Sequence, residues 1–473
     1  MKKHIIPVLA IIAVLTMNFV ACTPNQSIPN EPTPSTPTPT EPTNPTVPPQ
    51  PVEKDPVKIG FIGSFAADYG KCTQRGAELA IQEINDAGGI LGGRPIELVK
   101  ADAGENVTEA IKAYDYLNEV EDVDFIISGT TDDQSVGWFE RMAEYRTPTV
   151  DTWTTSFLLI QQVTEEYEKY KMYFMKPAND WLVGSLYADF AKDVLHDELG
   201  WDTCVLLRED TGFGAAIGDW IAAEILTYAG VELLDDIVYD VETIDFSPIY
   251  HDITETDPDF IYQVASINCV VPTAQYVELQ VPVPMTGINV AAYSYEYWED
   301  TGGMGAGIST MVGPPSIGLD YDPRTQAFVD KWLSTYDTRP KFPHFNGFHA
   351  YYGVYEAVEA AQRVYDAGLG SGFEPLDEWV REMENTDYIL ERDGEVWFHN
   401  KYYKQGDIEP LTGMEWVHGS VFDPAGIDGN VSMTVLQWYQ DGTVKCIYPP
   451  KYANGEIAFP AWIPADKLPA SMQ

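Results

Sequence analysis

The sequence predicts an α/β protein built as two Rossmann-like, doubly wound lobes, each a parallel sheet layered with helices. Three observations predict it. Lys58 to Leu117 reads as strand, helix, strand and helix in one unbroken run. Two series of apolar strand candidates, each interleaved with helical stretches, follow one another along the chain. About 400 residues remain after a low-complexity N-terminal part, which is more than one ordinary core takes and suits two lobes.

The elements follow in order. Lys2 and Lys3 form a charged start, Ile5 to Val20 a short apolar core, and Ala21-Cys22 a small-residue cleavage point, so residues 1–21 read as a secretion signal. The apolar core is short for a membrane-spanning helix. Phe19-Val20-Ala21-Cys22 resembles a bacterial lipobox with Phe where Leu is usual, which makes Cys22 the lipidated first residue. An ordinary cleaved signal is the alternative. Residues 22–56 are rich in Pro, Thr, Asn and Glu and hold too few large apolar side chains for a core. They read as a disordered tether, extended at about 3.1 Å per residue where polyproline II forms. A Pro-rich recognition peptide is the other use of such a segment.

Lys58 to Gly63 is apolar and bounded by Gly and Ser, as a strand buried on both faces should be. Thr73 is expected to cap the next helix, along which Ala77, Ala80, Ile81 and Ile84 share a face before Gly88-Gly89 ends it. A second strand from Pro95 completes a βαβ unit, which implies parallel strands and right-handed crossovers. Strands near Ile96–Ala101, Phe125–Ser128 and Pro148–Thr152 fill the first lobe, and the chain crosses near Phe174–Pro177. Thr203–Arg208, Val231–Val238, Phe260–Ala265 and Val283–Ile288 are the strands expected of the second. A return near Thr310–Pro314 leads into helices around Gln326–Tyr336 and Phe348–Val364, and a third crossing is expected near Leu390–Arg392. Lobe 1 is thus 57–175 with 314–391, and lobe 2 is 176–313 with 392–473. Three crossings form a hinge on which rigid lobes close.

Charge and motifs exclude several functions. Seventy-three Asp and Glu against 28 Lys and Arg give a formal charge of −45, which argues against nucleic acid and against adsorption to an anionic bilayer by charge. Cys72, Cys204, Cys269 and Cys446 match no zinc spacing, and both disulfides and buried thiols remain open for them. Gly63 to Cys72 lacks the glycine spacing and the Ser or Thr of a phosphate loop, and Gly60-Phe61-Ile62-Gly63 lacks the dinucleotide pattern. Neither Gly-x-Ser-x-Gly nor His-Glu-x-x-His occurs. His344 and His349 are five apart, a poor spacing for two metal ligands on one helix face. No catalytic residue, cofactor or metal is expected.

Several segments resemble the periplasmic solute-binding proteins of the branched-chain amino acid transporter family. They are the strand ending in Gly63-Ser64, Tyr69-Gly70, Arg75-Gly76-Ala77-Glu78-Leu79-Ala80, Glu83-Ile84-Asn85 with Gly88-Gly89, and Asp102. Asp245-Phe246-Ser247-Pro248, Asp257-Pro258-Asp259, Tyr448-Pro449-Pro450 and Gly455-Glu456 extend the likeness to residues 57–463. The resemblance implies the type I fold of that class and ligand loops at the carboxyl ends of the strands, where free N–H groups favour an anion. Carried over residue by residue, those loops hold Tyr69, Thr130, Thr131, Asp132, Trp153, Thr154, Thr155, Phe213, Ser266, Asn289, Asn346 and His349. Asn289 stands where relatives that bind α-amino acids place a carboxylate for the ammonium group, and Trp153 replaces a small residue. Both departures favour an aromatic acid or an amide over leucine, isoleucine or valine, or a cation stacked on Trp153.

The resemblance further implies a monomer that works outside the cytoplasm, captures a small solute by hinge closure and delivers it to an ABC transporter permease, with a lipid anchor holding it to the membrane. A ligand sensor for a receptor kinase or chemoreceptor and an envelope hydrolase are the alternatives.

Overall fold

A computed structural model describes residues 54–313, 316–319, 323–392, 395–410, 412–421 and 433–469. The expected signal, Cys22 and all but the last three residues of the expected tether lie outside them. Five parallel strands form the first sheet: β1 (Val57–Gly63), β2 (Ile96–Asp102), β3 (Phe125–Gly129), β4 (Thr149–Asp151) and β5 (Tyr173–Met175), in the order β2-β1-β3-β4-β5. Every residue of β3 is buried, because helices cover both faces of the middle of the sheet. Helix α1 (Asp68–Asp86) packs with the helix His344–Asp366, and α2 (Val107–Glu119) packs with α3 (Asp132–Tyr145).

Thr73 does not cap α1. The helix starts five residues earlier with Ala67 at the cap, and Thr73 lies buried inside it. The early start is possible because Gly70 lies against the loop after β1, where a Cβ would stand 2.0 Å from the Ser64 carbonyl oxygen. Gly76 is required in the same way, since a Cβ there would meet the Gly347 carbonyl oxygen at 2.0 Å. The Arg-Gly-Ala run of α1 is therefore what lets the two helices touch backbone to backbone.

The second sheet holds β6 (Thr203–Glu209), β7 (Glu232–Tyr239), β8 (Phe260–Ala265) and β9 (Met285–Asn289), parallel and in the order β7-β6-β8-β9. Both sheets have the strand order of a doubly wound α/β unit. β10 (Ser309–Val312) lies beside β9, the Thr310 hydroxyl accepting the Asn289 N–H at 2.9 Å. β11 (Asp387–Arg392) and β12 (Glu395–Lys401) form a hairpin. β13 (Thr434–Trp438) and β14 (Val444–Tyr448) join β10 in an antiparallel sheet.

Three passages between the sheets are present, the third later than the expected Leu390–Arg392. Tyr402, Tyr403, Trp416 and Val417 belong to the core of the first sheet, and Gly419 bridges to Met175 of β5. Val421 still packs with the first core, and Met433 packs with the second. Apolar spacing does not say which of two cores a residue joins. What pins this segment is a buried ion pair: Lys176 Nζ lies 2.7 and 2.9 Å from the Glu356 carboxylate, to which the Tyr402 hydroxyl also donates at 2.8 Å. Burial pulls the Lys176 pKa down.

The four cysteines of the described residues are free, buried thiols rather than disulfides. Burial pushes Cys204 up to about 12 and Cys446 up to about 11, so neither is a ready nucleophile. Cys72 and Cys269 are buried as well, and neither lines the cleft.

Candidate functional site

The carboxyl ends of both sheets face one cavity. Tyr69 reaches it from the first turn of α1, Thr131 from the loop after β3, Asp132 and Asp133 from the first turn of α3, Trp153 and Thr155 from the loop after β4, and Pro177 and Ala178 from the first passage. The opposite wall is made by Thr211 and Phe213 after β6, Ser266 and Ile267 after β8, and Ile288, Val290 and Tyr293 at and after β9. Phe345 and His349 of the helix His344–Asp366, with Gly313 and Met433 beside the other two passages, complete it. It leaves about 110 Å³ for the centre of a water-sized sphere. A single water needs only about 10–15 Å³ by that measure, so the space suits a small organic molecule.

The first wall is built on carboxylates. Asp132 opens α3, and its Oδ1 accepts the Thr154 hydroxyl at 2.6 Å and the Thr155 N–H at 2.8 Å. The Thr155 hydroxyl donates at 2.5 Å to Asp180 and lies 3.4 Å from the second oxygen of Asp132. Behind them Asp151 accepts the N–H groups of Trp153 and Thr154 at 3.3 Å each, and the hydroxyls of Ser128 at 3.2 Å and Ser135 at 2.9 Å. Burial raises all three carboxyl pKa values, Asp151 to about 7 and Asp180 well above the usual range, with the charge of Asp132 adding to the rise at Asp180. Three acids share these donors. Among the described residues no group of His, Cys, Asp and Glu is arranged to hold a metal.

Aromatic rings stand beside this wall. Trp153 stacks on Tyr69, centroids 5.0 Å apart, and on Phe345 at 5.2 Å, with interplanar angles of 9° and 7°. Tyr293 and His349 each meet Phe345 edge-on. His349 is 4% exposed, and burial drives its pKa down to about 3, so the ring is neutral. It bonds to the Thr152 backbone, while its Nδ1 has no partner.

On the second wall a single carboxylate holds the loop. Glu209, the last residue of β6, accepts Ser266 N–H at 2.8 Å, the Ser266 hydroxyl at 3.0 Å, Ile267 N–H at 2.9 Å and the Asn268 N–H. Thr211 caps the helix Gly212–Trp220 by accepting the Gly214 N–H at 2.9 Å, which sets Phe213 in the first turn at the cavity.

Eight of the residues placed at the site from sequence line this cavity: Tyr69, Thr131, Asp132, Trp153, Thr155, Phe213, Ser266 and His349. Thr130, Thr154, Asn289 and Asn346 do not, and each is engaged elsewhere. Thr130 bonds to Ser128, Ser135 and the Trp138 indole N–H, all buried. Thr154 serves Asp132. Asn289 is 1% exposed, gives its amide hydrogens to Gln263 and Thr273 at 3.1 and 3.0 Å, and caps the turn Val290–Tyr293. It faces away from the solute space, so its neutrality says nothing of an ammonium partner. Asn346 donates to the Tyr69 carbonyl at 2.6 Å and to Thr73 at 3.0 Å, holding the first turns of α1 that carry Tyr69.

Sequence reading missed Asp133, Thr211, Tyr293, Phe345 and the apolar residues of both walls. Thr211 carried a signal, a capping Thr before Gly-Phe-Gly. Phe345 carried none, since it lies far along the chain from Trp153.

Comparison with known proteins accords with this geometry. Residues 56–390 match the family model described as periplasmic binding protein. The Leu/Ile/Val-binding protein homolog 7 of Brucella abortus (strain 2308) is 24% identical over 417 residues, 85% of this chain and 94% of that protein. The branched-chain amino acid transporter substrate binding protein of Streptococcus pneumoniae, solved in complex with isoleucine, superposes with a TM-score of 0.62 at 19% identity, over 84% of this chain and 100% of that one. A solute binding protein of an ABC transporter from R. palustris, solved with benzoate, gives 0.62 at 16% identity, over 86% and 99% of the two chains. The chain belongs to the periplasmic binding protein family and has the type I fold of that family.

Proposed function

We propose that the protein captures a small solute in this cleft by hinge closure and delivers it to an ABC transporter permease, without breaking bonds in the solute. The observation that carries the reading is the cavity lined from the carboxyl ends of both sheets and, at Pro177 and Ala178, from the first passage between them. Such a site is open when the lobes part and enclosed when they close, so binding and closure are one event. A solute of the size of an amino acid, an amide or an aromatic acid is supported by the similar proteins solved with isoleucine and with benzoate. Among the described residues no helix is long and apolar enough to cross a membrane. Attachment is instead assigned to a lipidated Cys22 and the Pro-rich tether, on the outer side of the membrane.

Small-angle scattering tests the capture. A saturating solute is expected to lower the radius of gyration while the circular dichroism spectrum stays unchanged, and an unchanged radius at saturation would sink hinge closure. Mass spectrometry of the mature protein tests the anchor, which an unmodified Cys22 would rule out.

A further inference from the structure

Granted that the cleft captures a solute, as proposed above, the use already made of its hydrogen-bonding groups limits the solute's charge. A bound anion needs free N–H donors or a cationic side chain. On the first wall the protein's own acids take those donors: Asp132 holds the Thr155 N–H and the Thr154 hydroxyl, Asp180 the Thr155 hydroxyl, and Asp151 the N–H groups of Trp153 and Thr154. On the second wall Glu209 holds the N–H groups of Ser266, Ile267 and Asn268. The loops after β4 and β8 are thus filled from within. Thr131 and Thr211 cap helices, and their hydroxyls accept as well as donate.

Cationic side chains are missing too. Among the described residues no Lys or Arg lines the cavity, whereas Asp132 and Asp133 do. The sequence stretches 314–322 and 422–432, next in the chain to Gly313 and Met433, contain no Lys or Arg either. An independent observation points the same way. His349 lines the cavity, is more than nine-tenths buried, and its Nδ1 has no partner in the protein. Burial holds the ring neutral, so one of its nitrogens carries no proton and can accept. The cavity therefore offers negative charge, a vacant acceptor and flat apolar walls.

We propose that the solute is an organic cation without a carboxylate, an amine or ammonium group on a flat or apolar body. Asp132 and Asp133 oppose its charge, His349 Nδ1 accepts one N–H, and Tyr69, Trp153 and Phe345 border its body. Occupied by such a molecule, the acids of the first wall gain a counter-charge that no Lys or Arg among the described lining residues supplies.

Calorimetry on the full chain tests this with four probes that share one ring and differ in charge: phenethylamine, phenylalaninamide, phenylalanine and phenylacetate. The two amines lacking a carboxylate are expected to bind at least tenfold more tightly than phenylalanine, and phenylacetate not to bind. Asp132→Ala frees the donors of Thr154 and Thr155, so it is expected to weaken phenethylamine at least tenfold and to bring in phenylacetate. A variant that merely unfolds shows no such gain. Asp133→Asn, which leaves every wall hydrogen bond in place, is expected to weaken the amines a few-fold without admitting the acid. Phenylacetate or phenylalanine binding wild type more tightly than phenethylamine would overturn the inference and leave solute capture standing. Silence toward all four probes would overturn it as well, and capture would then be judged on scattering with other solutes.

Discussion

The two walls of the cleft hold their loops by the same device, an inward-turned carboxylate accepting backbone N–H groups, and differ in how many acids share the work. On the second wall Glu209 stands alone with four donors. On the first, Asp132, Asp151 and Asp180 lie close together, and the one proton of the Thr155 hydroxyl lies within reach of two of them. A lone buried acid with all its lone pairs used is a brace; three crowded acids are a brace whose carboxyl groups burial pushes toward the neutral form. The second wall then offers mainly shape, from Phe213, Ile267, Ile288 and Val290, while the first offers charge and rings.

The largest expected effect breaks the brace of the second wall. Glu209→Ala leaves three N–H groups and a hydroxyl of a part-buried loop without their acceptor, and is expected to cost about 3–5 kcal/mol in denaturant unfolding. Glu209→Gln keeps one acceptor oxygen and is expected to recover part of that. Asp132→Ala also removes a wall acceptor, but it relieves repulsion with Asp180 and is expected to cost no more than about 2 kcal/mol. Equal losses for Glu209→Ala and Asp132→Ala would erase the contrast between the walls.

The next effect sharpens the contrast through pH. Asp151 titrates near 7 in the folded protein against 3.8 for the ordinary group. Between those values the folded state binds more protons than the unfolded one, so stability is greatest below about 4 and falls as pH rises through 7. The three-unit rise corresponds to a loss on the order of 2–4 kcal/mol. Asp151→Asn keeps the group neutral and is expected to flatten the curve between pH 4.5 and 7.5. An equally steep curve in that variant would place the titration elsewhere.

How much of this was legible beforehand depends on whether the cause was local. Strands β3 and β8 were readable because a strand buried on both faces is mostly apolar, as Phe125–Ser128 and, with Gln263 as its one amide, Phe260–Ala265 are. The loops at the strand ends followed from the fold, and eight of twelve residues placed on them line the cavity. Asn289 was expected at the solute from the family resemblance, yet Gln263 and Thr273, buried side chains, claim its amide. Thr73 reads as a cap, but Gly70 lets the helix begin earlier. Neither the meeting of Trp153 with Phe345 nor that of Lys176 with Glu356 leaves a mark in the chain, because each joins residues 180 or more positions apart.

The smallest expected effect separates the rings of the two walls. Trp153 is half-buried and stacks on both Tyr69 and Phe345, so truncating it also frees its neighbours to move into the cavity. Each stacked pair is worth about 0.5–1.5 kcal/mol beyond the area it buries. Trp153→Ala is therefore expected to weaken a bound aromatic amine roughly tenfold or more, read by calorimetry. Phe213 packs against the second core and enters no ring stack among the described residues, so Phe213→Ala removes contact area without loosening a neighbour. Its loss is expected to be smaller, about three- to fivefold, within the range of one partly buried side chain. A larger loss at Phe213 than at Trp153 would mean that the apolar wall, and not the ringed one, grips the body of the solute.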